Sequence, residues 1–175
     1  MSSRNGLHGP KRGLPGPARP TSGKVIQALF NILGPLDRLR FLDLFSGSGR
    51  VARRAWELGA EVTAVEMDGR YCREICTGEE AIRVVKSDVR RFVQRAAKDG
   101  DSYHVVFADP PYCMGWMEEL MDLFVVNRSI IKTGGTLVLE HSVREPLPGN
   151  LSRDDRIYGE TVLSFFWDWD GGDGV

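Results

Sequence analysis

One junction constrains this chain more than any other. Val105-Val106-Phe107-Ala108 is a continuous apolar run with a β-branched start, and it stops at Asp109-Pro110-Pro111-Tyr112. Such a run suits a strand covered on both faces. Proline has no backbone donor and a fixed φ, so Pro110 and Pro111 can neither extend a ladder nor begin a helix interior. The junction predicts a central strand with a carboxylate, a rigid kink and an aromatic ring at its carboxyl end. Open α/β sheets place their ligands at that end.

The flanking sequence supplies the rest of such a sheet. Thr21 or Ser22 caps a helix whose Val25, Ile26, Leu29, Phe30 and Leu33 share one face, and Gly34-Pro35 ends it. Phe41 to Phe45 reads as a buried strand running into Ser46-Gly47-Ser48-Gly49 and a helix with Val51, Ala52 and Ala55 inward. A strand over Glu61 to Val65 ends at Glu66-Met67. Asp68 caps a helix carrying Tyr71, Cys72 and Ile75. A strand over Ala81 to Lys86 leads through Ser87-Asp88 to a helix with Val89, Phe92, Val93, Ala96 and Ala97 inward. After the strand Tyr103 to Ala108 comes a helix over about 115–126, with Trp116, Leu120 and Leu123 on one face. Gly134-Gly135 precede a strand over Thr136 to Glu140. Arg153 to Tyr158 and Thr161 to Trp167 flank Gly159-Glu160, a hairpin signal. The prediction is an α/β fold: five parallel strands alternating with helices, closed by a C-terminal antiparallel hairpin. Residues 19–175 read as one domain. Residues 1–18, rich in Gly and Pro, read as a flexible basic arm.

Composition narrows the function classes. At 175 residues, 42% hydrophobic and 27% charged, the chain suits one globular domain. Every apolar run is too short to span a membrane, and no apolar leader opens the sequence, so a cytoplasmic monomer is expected. Cys72, Cys76 and Cys113 form no CxxC pair and read as reduced thiols; no metal cluster is expected. Net charge is −1, but residues 1–40 carry +6 and the remainder −7. A basic arm on an acidic body suits a polyanion gripped from one side.

The junction itself suits work on a planar amine. Asp109 and the carbonyl of Pro110 can each accept a hydrogen from one exocyclic NH2, turning the nitrogen lone pair towards an electrophile. Tyr112 can stack on the ring, and such stacking is worth about 1–3 kcal/mol per base. Gly47, Gly49 and Ala52 form the small-residue βα turn of nucleotide-binding folds, and Glu66, 19 residues after Gly47, stands where a ribose hydroxyl pair is held. Asp88 either caps its helix or meets an adenine amino group; cofactor contact is favoured.

In this order, Asp43 to Gly49, Glu66, Asp88 and Asp109-Pro110-Pro111-Tyr112 resemble the seven-stranded, Rossmann-like methyltransferases that use S-adenosyl-L-methionine. The Asp-Pro-Pro-Tyr box is similar to that of enzymes methylating exocyclic base amines. Arg19-Pro20-Thr21-Ser22, Leu29-Phe30-Asn31, Glu140-His141-Ser142 and Tyr158-Gly159-Glu160-Thr161 resemble the bacterial 16S ribosomal RNA guanine-N2 methyltransferase family. That family usually opens with a basic β-hairpin, which residues 1–18 do not resemble. The resemblance implies ribosomal RNA or the assembling small subunit as partner. It implies Asp109, Pro110, Pro111 and Tyr112 as the catalytic set, with Asp109 also bordering the cofactor. It implies a cofactor held by Asp43, Phe45, Ser46, Gly47, Gly49, Glu66, Met67, Asp88 and Val89, with Thr21 and Asn31 at its methionine end. His141 reads equally as a satisfied strand-end histidine or a substrate contact. The alternatives are a DNA adenine-N6 or cytosine-N4 methyltransferase, for which the chain lacks room for a target-recognition domain; a nicotinamide-dependent dehydrogenase, for which no hydride-transfer constellation is found; and a non-catalytic nucleic-acid-binding relative.

Overall fold

The strand that ends at Ala108 lies in the interior of a sheet, buried over its last four residues. A computed structural model describes residues 21–77, 81–148 and 151–169. The expected arm over 1–18, and Arg19-Pro20, fall outside the described residues. The elements run α1 (Gly23–Leu33), β1 (Arg40–Leu44), α2 (Arg50–Glu57), β2 (Glu61–Glu66), α3 (Gly69–Cys76), β3 (Arg83–Lys86), α4 (Val89–Lys98), β4 (Tyr103–Ala108), α5 (Trp116–Val126), a 3-10 turn (Arg128–Ile130), β5 (Ile131–Ser142), β6 (Asp154–Tyr158) and β7 (Thr161–Phe166).

The strands form one seven-stranded sheet in the order β3-β2-β1-β4-β5-β7-β6. The first five are mutually parallel, and β7 runs antiparallel to both β5 and β6. This is the expected Rossmann-like methyltransferase sheet. Strand side chains alternate between faces. Phe41, Val105, Phe107 and Val138 therefore meet α1, α2 and α3 on one face, while Leu42, Leu44, Val106 and Leu139 meet α4 and α5 on the other. Both faces are covered, which is why these strands are apolar runs rather than alternating ones.

The topology positions the site. From β1 the chain steps outward through β2 and β3; from β4 it steps the other way to β5. The crevice outside the carboxyl ends of β1 and β4 is the switch point where such sheets bind ligands. Register aligns Leu44 with Ala108 and Ala108 with Leu139, so Asp109 and Glu140 follow directly on neighbouring strands.

Three elements differ from the sequence reading. β5 begins at Ile131, not Thr136, and Gly134-Gly135 lie inside it at an irregularity opposite Tyr103 and Val105. A Cβ at Gly135 would sit 2.7 Å from the carbonyl oxygen of Lys132 and 2.9 Å from that of His104, so glycine lets two backbones close there. On α5 the buried face is Met117, Leu120, Met121, Leu123 and Phe124, and Trp116 turns out of it. At the other edge β3 starts at Arg83, and Ala81 and Ile82 remain outside the ladder. Among the described residues no helix is long and apolar enough to cross a membrane, and all three cysteines are free thiols.

Candidate active site

The loop after β1 is built by one buried carboxylate. Asp43 is 1% exposed. Its Oδ2 accepts from Ser46 Oγ at 2.6 Å and from Ala52 N at 3.1 Å, tying strand end, loop and first turn of α2 together. Phe45, Gly47 and Gly49 all adopt positive φ, at 59°, 54° and 79°. For a phenylalanine this is a strained conformation, costing on the order of 1–3 kcal/mol, of the kind found at ligand clamps. Glu66 closes the other side. Its Oε2 accepts from Gly47 N at 2.8 Å, and its Oε1 accepts from Met67 N and Asp68 N at 2.8 and 2.7 Å.

A second cluster lies at the ends of β4 and β5. Asp109 Oδ2 accepts from Thr21 Oγ1 at 2.6 Å, and the same hydroxyl lies 3.2 Å from Glu140 Oε2. Tyr112 places its hydroxyl 3.2 Å from both Glu140 Oε1 and Thr161 Oγ1. Thr21 is anchored from behind, because Arg50 Nη1 donates to its carbonyl at 2.7 Å while Ser22 caps α1 through Val25 N. Burial drives the acids towards the neutral form. It pushes Asp43 up to about 7, helped by the charges of Asp109 and Glu66 and opposed by the bonds from Ser46 and Ala52. It pushes Asp109 up to about 6 against the Thr21 bond, and Glu140 up to about 8 with the charge of Asp109 adding. Tyr112 is likewise raised, first by burial and then by the charge of Glu140.

Among the described residues, none of these three acids forms an ion pair. Nor does any group of three or more His, Cys, Asp or Glu present a metal site. Unpaired acids in such a site are held towards their neutral form, and a cation bound beside them would favour ionisation. A sulfonium bearing an α-ammonium group supplies positive charge of the right kind, so the residues fit S-adenosylmethionine.

Burial of these acids makes stability depend on pH. Each acid is raised above its unfolded value, so between about pH 4 and 8 the folded state binds more protons than the unfolded chain, and stability falls as pH rises through the folded values. The melting temperature of the ligand-free protein should decline from pH 5 to pH 8. Added S-adenosylmethionine should raise it more at pH 8 than at pH 5. A flat or rising profile by scanning calorimetry would contradict the unpaired acid cluster.

Further contacts hold the loop after β4. Glu145 accepts from Cys113 N at 2.6 Å and Gly115 N at 2.9 Å, bridging a turn in which both residues have positive φ. Trp116 meets the edge of Phe45 at 4.8 Å, and the Arg90 guanidinium lies over its ring at 4.1 Å. Arg90 in turn donates to Glu119 and Asp88.

Most of the residues singled out by sequence converge on the crevice. Asp43, Phe45, Ser46, Gly47, Gly49 and Glu66 frame its β1–β2 side, and Thr21, Asp109, Pro110, Pro111 and Tyr112 its β4 side. Thr21 meets Asp109 and Glu140 through its hydroxyl. Tyr112 is tethered through its hydroxyl. Met67 is 68% exposed at the rim, and Val89 has its side chain in the core. Asp88 caps α4: Oδ1 accepts from Arg90 N at 2.9 Å and Arg91 N at 3.4 Å, and Oδ2 from Arg90 Nη1 at 3.0 Å. Asn31 lies apart from the acid cluster. It is exposed on α1, about 13 Å of helix rise beyond Ser22, and lines an outer groove with Arg50, Arg53 and Glu57. His141 faces away from the crevice: Nε2 bonds Ser164 Oγ at 2.9 Å, and Ser164 donates to Asp155. The residues sequence reasoning missed are Arg50, Glu145 and Thr161, whose roles depend on contacts across 29, 32 and 49 positions.

Sheet order, glycine loop and acid box together define the class as Rossmann-like methyltransferases that use S-adenosylmethionine. The sequence matches the family model described as Conserved hypothetical protein 95 over residues 12–167, and the chain belongs to that family. It is 30% identical over 138 residues to YlbH of Bacillus subtilis, covering 74% of each chain. It is 31% identical over 137 residues to the Escherichia coli K12 protein named Ribosomal RNA small subunit methyltransferase D, covering 74% of this chain and 67% of that one. Among solved structures, the Thermus thermophilus hypothetical protein TTHA0928 superposes with a TM-score of 0.75 at 32% identity, over 87% of this chain and 90% of that one. The T. thermophilus 16S rRNA N2 G1207 methyltransferase RsmC, solved with AdoMet and guanosine, shares the fold with a TM-score of 0.67 at 21% identity, over 91% of this chain and 45% of its own.

Proposed function

We propose that this protein methylates the exocyclic N2 amine of a guanine in small-subunit ribosomal RNA, using S-adenosylmethionine. The observation that carries the reading is Asp109, a half-buried carboxylate immediately before two prolines at the switch point, next to the glycine loop. Asp109 Oδ1 and the carbonyl of Pro110 each accept one hydrogen of the amine, and so orient its lone pair. Tyr112 walls the base pocket. Asp43, through Ser46 and Ala52, shapes the loop formed by Phe45, Gly47 and Gly49 at the cofactor's amino-acid end. Glu66 and the backbone at Met67 take the ribose, and the backbone at Val89 borders the adenine. S-adenosylmethionine supplies a methyl group on a positively charged sulfur. The chain's contribution is chiefly to align the reacting atoms, which can account for several kcal/mol of barrier lowering on general grounds. A proton leaving the methylated nitrogen passes to a carboxylate already in contact with it.

The substrate class rests on the E. coli relative's name, the Asp-Pro-Pro-Tyr box and the charge pattern. The sequence before residue 41 carries +6. A groove between β3 and α4 is lined by Arg83, Lys86, Arg91 and Arg95, together with Asp99, which pairs with Arg95, and Asp101. Basic surface of this kind takes up RNA phosphates. A ribosomal substrate implies the cytoplasm, and a monomer with residues 1–18 as an auxiliary grip on RNA completes the proposal.

The test is incubation with radiolabelled S-adenosylmethionine and unmodified ribosomal RNA or small-subunit particles, followed by nucleoside analysis. Label in N2-methylguanosine is the expected result. Label in N6-methyladenosine would move the target to another base amine, and absence of label would leave a binding protein.

A further inference from the structure

Glu140 is a buried acid with no role in the reaction as described above. It is 2% exposed, and it sits at the base pocket on β5. Its neighbours limit its charge. Thr21 Oγ1 lies 2.6 Å from Asp109 Oδ2 and 3.2 Å from Glu140 Oε2. A hydroxyl carries one hydrogen and can donate only once. If both carboxylates were ionised, one of these contacts would set two acceptors against each other in a buried site. The shorter contact has the length of a hydroxyl donating to an ionised carboxylate. The longer one is a weak contact that a hydrogen from Glu140 would make attractive.

We propose that Glu140 is a positioning residue that works as a neutral acid: it donates its carboxyl hydrogen to Thr21 Oγ1, which turns the Thr21 hydroxyl hydrogen onto Asp109 Oδ2 and leaves Asp109 ionised, with Oδ1 facing the amine. This rests on the proposed methyl transfer only for its kinetic readout. The surroundings agree. The groups facing Glu140 are Thr21 ahead of α1, Asp43 from β1, Asp109 after β4 and Tyr112 from the loop, whose hydroxyl also meets Thr161 of β7. None is cationic, the Arg50 guanidinium is on the carbonyl of Thr21, and the neighbouring His141 points to Ser164. Burial and the charge of Asp109 both push Glu140 upward, whereas the bond from Thr21 pulls Asp109 back down against its own burial, and both directions favour a proton on Glu140. Arg50 and the Ser22 cap hold Thr21 in place to pass on the bond.

Glutamine reproduces a protonated glutamate, since it donates from Nε2 and still accepts at Oε1. Glu140→Gln should therefore turn over within about threefold of the parent at pH 7, whereas Glu140→Ala and Thr21→Val should fall by about thirtyfold or more with S-adenosylmethionine affinity little changed. The parent's turnover should decline above about pH 8 as Glu140 ionises, and Glu140→Gln should lack that decline. Infrared difference spectra supply a readout independent of catalysis: parent minus Glu140→Gln at pH 7 should show a protonated carboxyl carbonyl band. A missing band, or a Glu140→Gln variant as impaired as Glu140→Ala, would overturn the assignment. If Glu140→Ala fails to fold, Glu140→Gln and Thr21→Val decide it. Should the parent not methylate RNA at all, the functional reading fails while the infrared result still reports on Glu140.

Discussion

Replacing Asp109 by alanine should lower turnover about a thousandfold while leaving S-adenosylmethionine affinity within a few fold of the parent. Two effects compete at this position. As a structural group Asp109 is unfavourable: burial pushes it up to about 6, so its ionised form is held against the desolvation cost, and Thr21 offsets only part of it. Its removal should not unfold the protein. As an acceptor for the amine it has no substitute, because Pro110 supplies one carbonyl and an NH2 group needs two acceptors to present its lone pair. Asp109→Asn makes the sharper variant, since it keeps the volume and a partner for Thr21 but introduces a donor where acceptors are needed. Titration calorimetry with S-adenosylmethionine, set beside single-turnover methyl transfer, separates the effects. Parallel loss of cofactor binding and turnover would show that Asp109 shapes the cofactor pocket instead of the reaction.

Gly49→Ala should destabilise the protein by about 2–4 kcal/mol, a drop of roughly 5–15 °C in melting temperature, and weaken S-adenosylmethionine binding at least tenfold. Two costs coincide there. The residue has φ +79°, and a Cβ would lie 2.7 Å from Ile75 Cγ1, with Ile75 Cδ1 at 3.3 Å and Cγ2 at 3.4 Å. Ile75 is 1% exposed in the core beneath α2 and α3, so it cannot swing into solvent. The loop must give way, and with it Gly47 N, which donates to Glu66. Gly115 provides the control. Its φ is +77° in the same left-handed region, with nothing within 4 Å of an added Cβ, so Gly115→Ala carries the backbone strain alone, about 1–2 kcal/mol. Equal melting temperatures for the two variants would mean that the contact with Ile75 is relieved at little cost.

Much of this is legible in the residues because the signals are local. An apolar run ending in Asp-Pro-Pro needs no distant partner to be read as a buried strand with a carboxylate at its lip. Gly47 and Gly49 after an apolar strand, and Asp68 ahead of a helix, are likewise self-contained; Asp68 Oδ1 does accept from Arg70 N at 2.8 Å. Reading fails where two local roles compete or where packing decides. Asp88 fits both a cap and an adenine contact by position, and folding makes the cap, with Arg90 as its partner. Asn31 shares a motif with Thr21 in sequence, but the two lie at opposite ends of one helix. Spacing alone puts Trp116 on the core face of α5, whereas Met117 and Phe124 fill that face and Trp116 lies between Phe45 and Arg90.

By itself the sequence determined the alternation of strands and helices, the seven-strand inventory, and which carboxylate ends the central strand, since each depends on hydrophobic period and backbone-breaking residues within a few positions. Only the tertiary structure decided that β7 would slot between β5 and β6, that Arg50 would brace Thr21, and that Thr21 would stand between Asp109 and Glu140. The side-chain contacts among these span 29 to 119 positions of chain, and they depend on which strands become neighbours once the sheet assembles. The charge state of a buried acid belongs with them, because it is set by the low dielectric and by the neighbours that folding brings into reach.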